Sequence, residues 1–295
     1  MAKDAMSERG PITLCGSLSK HPVGLGAALH RAGYAALGLP FTYVPFAVDD
    51  LEGALRGMRA LGIRGFGVSM PYKIDVIKWL DHVEDQAARI GAVNTIVNDA
   101  GVLTGYNTDA WGAARALGEV MELRNRRIIV IGAGGAARAV SHALCDEGAR
   151  LYIVNRTPEK AALLVHDLRR AAMAKANADL APVSGVPMNA HAGALAELTE
   201  LGGFDALVNC SSAGMAEYGA ASPVPVGFLR PNLVVMDIVY KPVETELVKA
   251  AREVGARVID GRRMLLHQAC RQFELYTGQP APLEVMNAAL ETATG

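Results

Sequence analysis

In the stretch Arg127-Ile128-Ile129-Val130-Ile131-Gly132-Ala133-Gly134-Gly135-Ala136-Ala137, a short apolar run passes directly into Gly-x-Gly-x-x-Ala. That pattern reads as a buried strand, a tight turn and the start of a helix. Gly132 permits the turn, Gly134 lets the backbone approach a pyrophosphate, and Ala137 is small enough for helix and strand to pack closely. Gly135 and Ala136 open the helix, whose unpaired N–H groups and partial positive charge favour phosphate. A helix over Ala136 to Glu147 and a second strand over Arg150 to Asn155 complete a βαβ unit, so a parallel, Rossmann-type dinucleotide-binding domain is expected.

The end of that second strand bears on the cofactor. An NAD site places Asp or Glu there for the ribose 2′-hydroxyl, whereas this chain has Asn155-Arg156-Thr157 with Lys160 close behind. A guanidinium pairs with a 2′-phosphate that a carboxylate would repel, so NADP is expected over NAD. An ordinary solvated charge after a strand is the competing reading of Arg156.

Upstream, strand-like runs (Ile12 to Cys15, Phe41 to Phe46, Gly65 to Ser69) alternate with helical ones (Gly26 to Leu37, Leu51 to Leu61). The alternation predicts a second α/β domain with a mostly parallel sheet. Ala92 to Asn98 and Val102 to Thr104 read as strands around the turn-prone Asn98-Asp99-Ala100-Gly101, and Thr108 or Asp109 as the cap of a helix running toward Met121. Downstream, Ala161 to Ala176 reads as helix, Asp179 to His191 as a connection, Asp205 to Asn209 and Leu233 to Met236 as strands, and Ala213 to Pro225 as a mobile loop. Met264 to Tyr276 and Leu283 to Thr292 read as two final helices.

The 295 residues, 51% of them hydrophobic, suffice for two domains. A net charge of −1 with interspersed signs argues against nucleic acid or an anionic membrane as partner and favours a small molecule. Cys15, Cys145, Cys210 and Cys270 lie far apart with no ligand spacing, so reduced core thiols are expected and no metal site. Met1 to Gly10 carries charges without a following apolar run, and no segment has the length of a membrane span, so a cytoplasmic protein is expected.

Ketone reduction by a nicotinamide needs a proton source at the carbonyl oxygen. Lys73, in Val68-Ser69-Met70-Pro71-Tyr72-Lys73, is the best candidate: Pro71 stands where a helix could begin, which would put Lys73 in the first turn after a strand end, with Tyr72 desolvating it. Asp109, in Gly105-Tyr106-Asn107-Thr108-Asp109, could orient and tune the amine. By residue type alone, each is more often a solvated surface charge than a catalytic group.

These motifs resemble the shikimate dehydrogenase family over nearly the whole chain. The resemblance also runs through Gly91-Ala92-Val93-Asn94-Thr95, Asn209-Cys210-Ser211-Ser212-Ala213-Gly214-Met215, Asp237-Ile238-Val239-Tyr240-Lys241-Pro242, Asp260-Gly261-x-x-Met264-Leu265, Gln268-Ala269 and Phe273-Glu274-Leu275-Tyr276-Thr277-Gly278. It implies NADP-dependent interconversion of 3-dehydroshikimate and shikimate, with Lys73 and Asp109 as the catalytic pair, and hence a role in aromatic amino-acid biosynthesis. It assigns the ring hydroxyls to Asn94, Asp109 and Gln268, the carboxylate to Ser17, Ser19 and Tyr240, and a further hydroxyl contact to Ser69, where a threonine is usual. Met215 and Gly261 would lie near the nicotinamide. The implied domains are a discontinuous substrate domain, 1–109 with 262–295, to which the last helices return, and a cofactor domain, 110–261.

Several roles have independent physical support, and each has a plain alternative. Amides such as Asn94 and Gln268 donate and accept at once, as a polyol requires, although Gln268 could instead satisfy a core polar contact. Ser17 and Ser19 could be turn formers and Tyr240 a packing residue. The loop after Ser17-Leu18-Ser19 departs from the family's Ser-Leu-Ser-Pro: Lys20-His21-Pro22 follows, and the comparable histidine, His30, comes well downstream, a pattern more similar to the shikimate dehydrogenase-like branch. Arg262-Arg263 stands where smaller residues are usual and could reach cofactor phosphates or be a solvated pair. A quinate or related cyclohexane-carboxylate dehydrogenase, and a cofactor-binding sensor without turnover, are the competing functions; as an assembly, a monomer or homodimer is expected.

Overall fold

A computed structural model describes residues 11–22, 24–178, 190–200, 202–215, 219 and 221–295. The chain divides into two compact units, 1–108 with 268–295, and 109–267. Met1 to Gly10, read as lacking a secretory signal, and most of the connection expected over Asp179 to His191 lie outside the described residues.

The first unit is built on β1 (Thr13–Ser19), α1 (Leu25–Ala36), β2 (Phe41–Ala47), α2 (Leu51–Ala60), β3 (Gly65–Val68), β4 (His82–Val83), α3 (Asp85–Ile90), β5 (Thr95–Asp99) and β6 (Val102–Tyr106). Its six strands run in the order β2-β1-β3-β5-β6-β4. The sheet is mixed, because β5 lies antiparallel to both β3 and β6. Three of the five pairings are parallel, β1 with β2 and with β3 and β4 with β6, in keeping with the expected mostly parallel sheet, and both antiparallel ones involve β5. The physical reason is the hairpin. Asp99 pairs with Val102 across Ala100 and Gly101, both at positive φ (52° and 95°), which is the two-residue turn that reverses a strand in place.

Local sequence explains most helix boundaries here. The Asp50 carboxylate accepts the Gly53 N–H at 2.8 Å to start α2. Glu84 caps α3 in the same way, and Gly91, left-handed at φ 71°, ends it. At Gly33 of α1 a β-carbon would stand 2.9 Å from the ring of Phe273 and 3.4 Å from Met286, so the carboxy-terminal residues of this unit pack directly on α1.

The second unit follows with α4 (Thr108–Gly118), β7 (Arg127–Ile131), α5 (Gly135–Asp146), β8 (Arg150–Asn155), α6 (Pro158–Ala178), β9 (His191–Ala194), β10 (Ala206–Asn209), β11 (Val234–Asp237), α7 (Glu246–Glu253) and β12 (Arg257–Ile259). Then α8 (Gly261–Thr277) continues into the residues of the first unit, and α9 (Leu283–Thr294) completes the chain. All pairings in the sheet β12-β11-β10-β7-β8-β9 are parallel. Numbered from β7, this is the doubly wound order 3-2-1-4-5-6, whose switch point lies between β7 and β10. Ile128 and Val130 enter one core and Ile129 and Ile131 the other, which is why β7 is apolar throughout. Three short elements, β9, α7 and β12, were not read from the sequence. No described helix is long and apolar enough to cross a membrane.

Candidate active site

In the first unit the named polar residues gather where β1 and β3 end. Ser17 and Ser19 lie within β1 itself, which runs four residues past the strand read from sequence. Ser17 is half-buried, and Ser19 is buried with its carbonyl accepting Val48 N–H at 3.0 Å. Ser69 follows β3, exposed, its N–H donating to Leu18 O at 3.0 Å and its carbonyl accepting Tyr72 N–H at 3.0 Å.

Pro71 does not start an α-helix. The Met70–Pro71 peptide is cis, residues 70–74 form turns, and a 3₁₀ segment follows at Asp75–Trp79. The Tyr72 ring is buried in the core with Leu18, Leu55 and Val76, and its hydroxyl donates to Val48 O. That ring fastens the turn from below. Lys73 is half-buried, and its carbonyl accepts Val93 N–H at 2.8 Å, tying it to the segment that enters β5.

Asn94 is the centre of the cluster, 2% exposed. Its Oδ1 accepts Thr108 N–H at 2.7 Å and the Thr95 hydroxyl at 2.9 Å. Its Nδ2 donates to Thr108 Oγ1 at 3.0 Å and Gln268 Oε1 at 3.4 Å. Thr108 precedes Asp109 by one peptide bond, so the start of α4 is fixed by an amide more than a dozen residues earlier. Behind this layer, Gln272 Nε2 donates to Thr95 Oγ1 at 3.0 Å and Asn94 O at 3.3 Å, and its Oε1 faces His30 Nε2 at 3.4 Å. Burial lowers the His30 pKa to about 4, so the ring is neutral and Nε2–H is the donor.

In the second unit the glycine turn has the shape a pyrophosphate needs. Gly132 adopts φ 113°, and a β-carbon there would stand 3.1 Å from Cys210 O. Gly134 and Gly135 are exposed and would meet nothing within 4 Å, which leaves their backbone open to a ligand. The α5 N-terminus has no side-chain cap and no acidic residue in its first turn, so its N–H groups are unanswered from within the helix. Asn155 closes the turn after β8 by donating to Thr157 O at 3.0 Å. Arg156 and Lys160 are exposed, and Arg156 makes no ion pair among the described residues. These features fit a phosphorylated dinucleotide.

Met215, Tyr240 and Gly261 stand beyond the carboxyl ends of β10 and β11 and at the start of α8. A β-carbon on Gly261 would lie 2.5 Å from Val239 O, so only glycine fits. Arg262 and Arg263 are both engaged by carboxylates: Arg262 bonds Asp260 at 2.9 and 3.0 Å, and Arg263 bonds Glu119. The Glu119 carboxyl, held below the usual range by Arg263, also meets His267 at 2.8 Å. In the loop Ala213 to Pro225, residues 216–218 and 220 lie outside the described residues, and Met215 N donates to Ser212 O at 3.1 Å. Three cysteines are buried, Cys145 is half-buried, and none of the four is in a disulfide among the described residues.

Sequence reasoning missed Thr95, Thr108 as an anchor, and Gln272. The last had a signal, since it falls one helical turn after Gln268 on the same face.

Three family models match the chain: the shikimate dehydrogenase substrate binding domain at residues 21–96, shikimate / quinate 5-dehydrogenase at 113–182 and the shikimate 5′-dehydrogenase C-terminal domain at 261–291. Shikimate dehydrogenase (NADP(+)) of Moorella thermoacetica is 42% identical over 285 residues, 95% of this chain and 93% of that protein. A shikimate dehydrogenase crystallised with NADP+ superposes with a TM-score of 0.84 at 34% identity, covering 96% of each chain. Quinate dehydrogenase from Corynebacterium glutamicum in complex with NAD gives 0.85 at 29% identity, covering 96% of this chain and 100% of that one. With its Gly-x-Gly-x-x-Ala turn, its polar cluster around Asn94 and these relatives, the chain belongs to the shikimate dehydrogenase family.

Proposed function

We propose that this chain is an NADP-dependent oxidoreductase interconverting 3-dehydroshikimate and shikimate. The observation that carries the reading is the bonded path from Lys73 through Val93 and Asn94 to Thr108, which ties the backbone of the proposed proton donor to that of Asp109. The relatives named as NADP(+)-dependent shikimate dehydrogenases support it. NADP, when bound, supplies or accepts the hydride. Lys73 and Asp109 are the proposed catalytic pair: Lys73, as ammonium, gives a proton to the ketone oxygen in reduction and, as amine, takes one from the hydroxyl in oxidation, and Asp109 accepts a hydrogen bond from the substrate.

Asn94 and Gln268 are proposed to bind ring hydroxyls, with Ser69 contributing a further hydroxyl. The Thr108 N–H on Oδ1 fixes the Asn94 amide, and the long 3.4 Å contact of Nδ2 with Gln268 Oε1 is the one that a ring hydroxyl would replace. Ser17, Ser19 and Tyr240 are proposed for the carboxylate. Gly132, Gly134, Gly135 and Ala136 would hold the pyrophosphate, Asn155, Arg156, Thr157 and Lys160 the 2′-phosphate end, and Met215 and Gly261 the nicotinamide end. Residues 1–109 with 262–295 are the proposed substrate domain and 110–261 the cofactor domain. The enzyme would work in the cytoplasm as a monomer or homodimer, without nucleic acid.

The test is absorbance of the reduced cofactor when purified protein is given shikimate or quinate with NADP or NAD. Turnover is expected to be fastest with shikimate and NADP. Turnover of quinate with NAD and none of shikimate with NADP would reject the proposal.

A further inference from the structure

Asp237, the last residue of β11, is a carboxylate with 0% exposure and no cation beside it among the described residues. The three residues before it on the strand, Val234, Val235 and Met236, are buried and apolar, as a central strand of this sheet should be. Burial raises the pKa of this carboxyl, and hydrogen bonds donated to its oxygens oppose that shift and stand in for its lost water. Here three do. Oδ1 accepts Asn209 Nδ2–H at 2.9 Å and Val239 N–H at 3.1 Å, and Oδ2 accepts the Thr245 hydroxyl at 2.7 Å.

Each donor belongs to a different segment. Asn209 ends β10, and its Oδ1 accepts both the N–H and the hydroxyl of Ser211, at 3.1 and 2.7 Å, while its Nδ2 also donates to Ala213 O at 3.2 Å. This folds the turn that leads to Met215. Val239 precedes Tyr240, and its carbonyl presses against Gly261. Thr245 caps α7 by accepting Val248 N–H at 3.2 Å, and its methyl group fills the space where a β-carbon on Gly214 would stand, at 3.0 Å. A carboxylate accepts on both oxygens, from Asn209 and Val239 at Oδ1 and from Thr245 at Oδ2, and so leaves the Thr245 hydroxyl as donor. An asparagine would turn an N–H₂ toward one of these donors.

We propose that Asp237 is a positioning residue for hydride transfer: its two oxygens hold the segments that carry Met215, Tyr240 and Gly261 in one fixed arrangement. The loop-holding role stands on the hydrogen bonds above, and its consequence for turnover rests on the activity proposed in the preceding section.

The test compares wild type with Asp237→Asn, Thr245→Val and Thr245→Ser in the full chain. Three readouts are taken: amide hydrogen exchange of residues 211–215 and 238–240 without ligand, calorimetric affinity for adenosine 2′,5′-bisphosphate, and steady-state kinetics with shikimate and NADP. Asp237→Asn is expected to speed exchange in both segments by about tenfold or more, and to lower kcat by a similar factor, since hydrogen bonds to a charged group are each worth about 1.5–3 kcal/mol. Affinity for the bisphosphate, which reports the far end of the cofactor, should stay within about twofold of wild type. Thr245→Ser should restore what Thr245→Val loses. Unchanged exchange in both segments, or loss of bisphosphate affinity in step with kcat, would overturn the proposal. If Asp237→Asn does not fold, Thr245→Val, which removes one donor and keeps the charge, is read by the same criteria. A wild type that does not turn over shikimate would refute the assigned activity alone, because the exchange comparison still decides whether Asp237 holds both loops.

Discussion

Asn94 and Thr108 form a closed pair: Oδ1 of the amide takes the Thr108 N–H at 2.7 Å while Nδ2 gives a hydrogen to Thr108 Oγ1 at 3.0 Å. One side chain thereby fixes both the backbone at the start of α4 and the orientation of its own amide. Thr108→Val keeps the first bond and removes the second, leaving Asn94 Nδ2 short of an acceptor. The expected cost is about 1–3 kcal/mol of stability with a drop in kcat, and Thr108→Ser should recover both. Thermal unfolding and kinetics of the two variants check this.

Lys73→Ala is expected to lower kcat by about 10²-fold or more with a modest change in substrate affinity, as loss of a general acid–base should. Because the backbone carbonyl, and not the amine, makes the bond to Val93, the fold should be retained. Steady-state kinetics beside a circular dichroism melt separates the two effects, and an unchanged rate removes Lys73 from the chemistry.

Arg156 stands exposed after β8 and makes no ion pair among the described residues. Arg156→Ala should raise KM for NADP by about 10–100-fold and leave KM for NAD nearly unchanged, the difference being one or two charge-assisted hydrogen bonds to phosphate. Equal effects on both cofactors would count against a phosphate contact.

His30 supplies a pH dependence of stability. Its ring stacks on Tyr43 at 4.4 Å, and Nδ1 has no hydrogen-bond partner among the described residues. Burial lowers its pKa from 6.5 to about 4, so the folded state favours the neutral ring. The stabilisation is fully present above about pH 6.5 and is lost as pH falls through the folded value, a loss of roughly 3 kcal/mol at most. His30→Phe should flatten the decline in stability between pH 6.5 and 4, measured by denaturant titration at several pH values.

Ala100 holds φ 52° in an exposed turn, a conformation that costs a residue with a β-carbon about 1 kcal/mol. Ala100→Gly is expected to raise the denaturation midpoint correspondingly without altering kinetics.

Much was legible from local spacing. The run Arg127 to Ala137, the hairpin residues Asn98 to Gly101 and the alternation of strands and helices each encode their conformation within a few positions, because steric freedom at glycine and apolar periodicity act over that range. The short elements β9, α7 and β12 were not read: the strands are too brief to show a period, and the apolar face of α7, Leu247, Val248, Ala250 and Ala251, spans only about two turns behind the Thr245 cap. The antiparallel part of the first sheet was legible only through the hairpin between β5 and β6, since alternation fixes the elements and not the direction of a strand.

The kinds of chemistry available, an amine, a carboxylate, amides and a glycine turn before an arginine, were written in the chain as residues. Their convergence was not. Asn94 meets Gln268 across 174 positions and Gln272 reaches Asn94 across 178, contacts that exist only once the carboxy-terminal helix packs on the first sheet. Asp237 makes the same point, because nothing in Val234-Val235-Met236-Asp237 says that its charge will be sealed from water and answered by Asn209, Val239 and Thr245. A hydrogen bond depends on distance and direction in space, and for residues far apart along the chain those are set by packing of the whole unit.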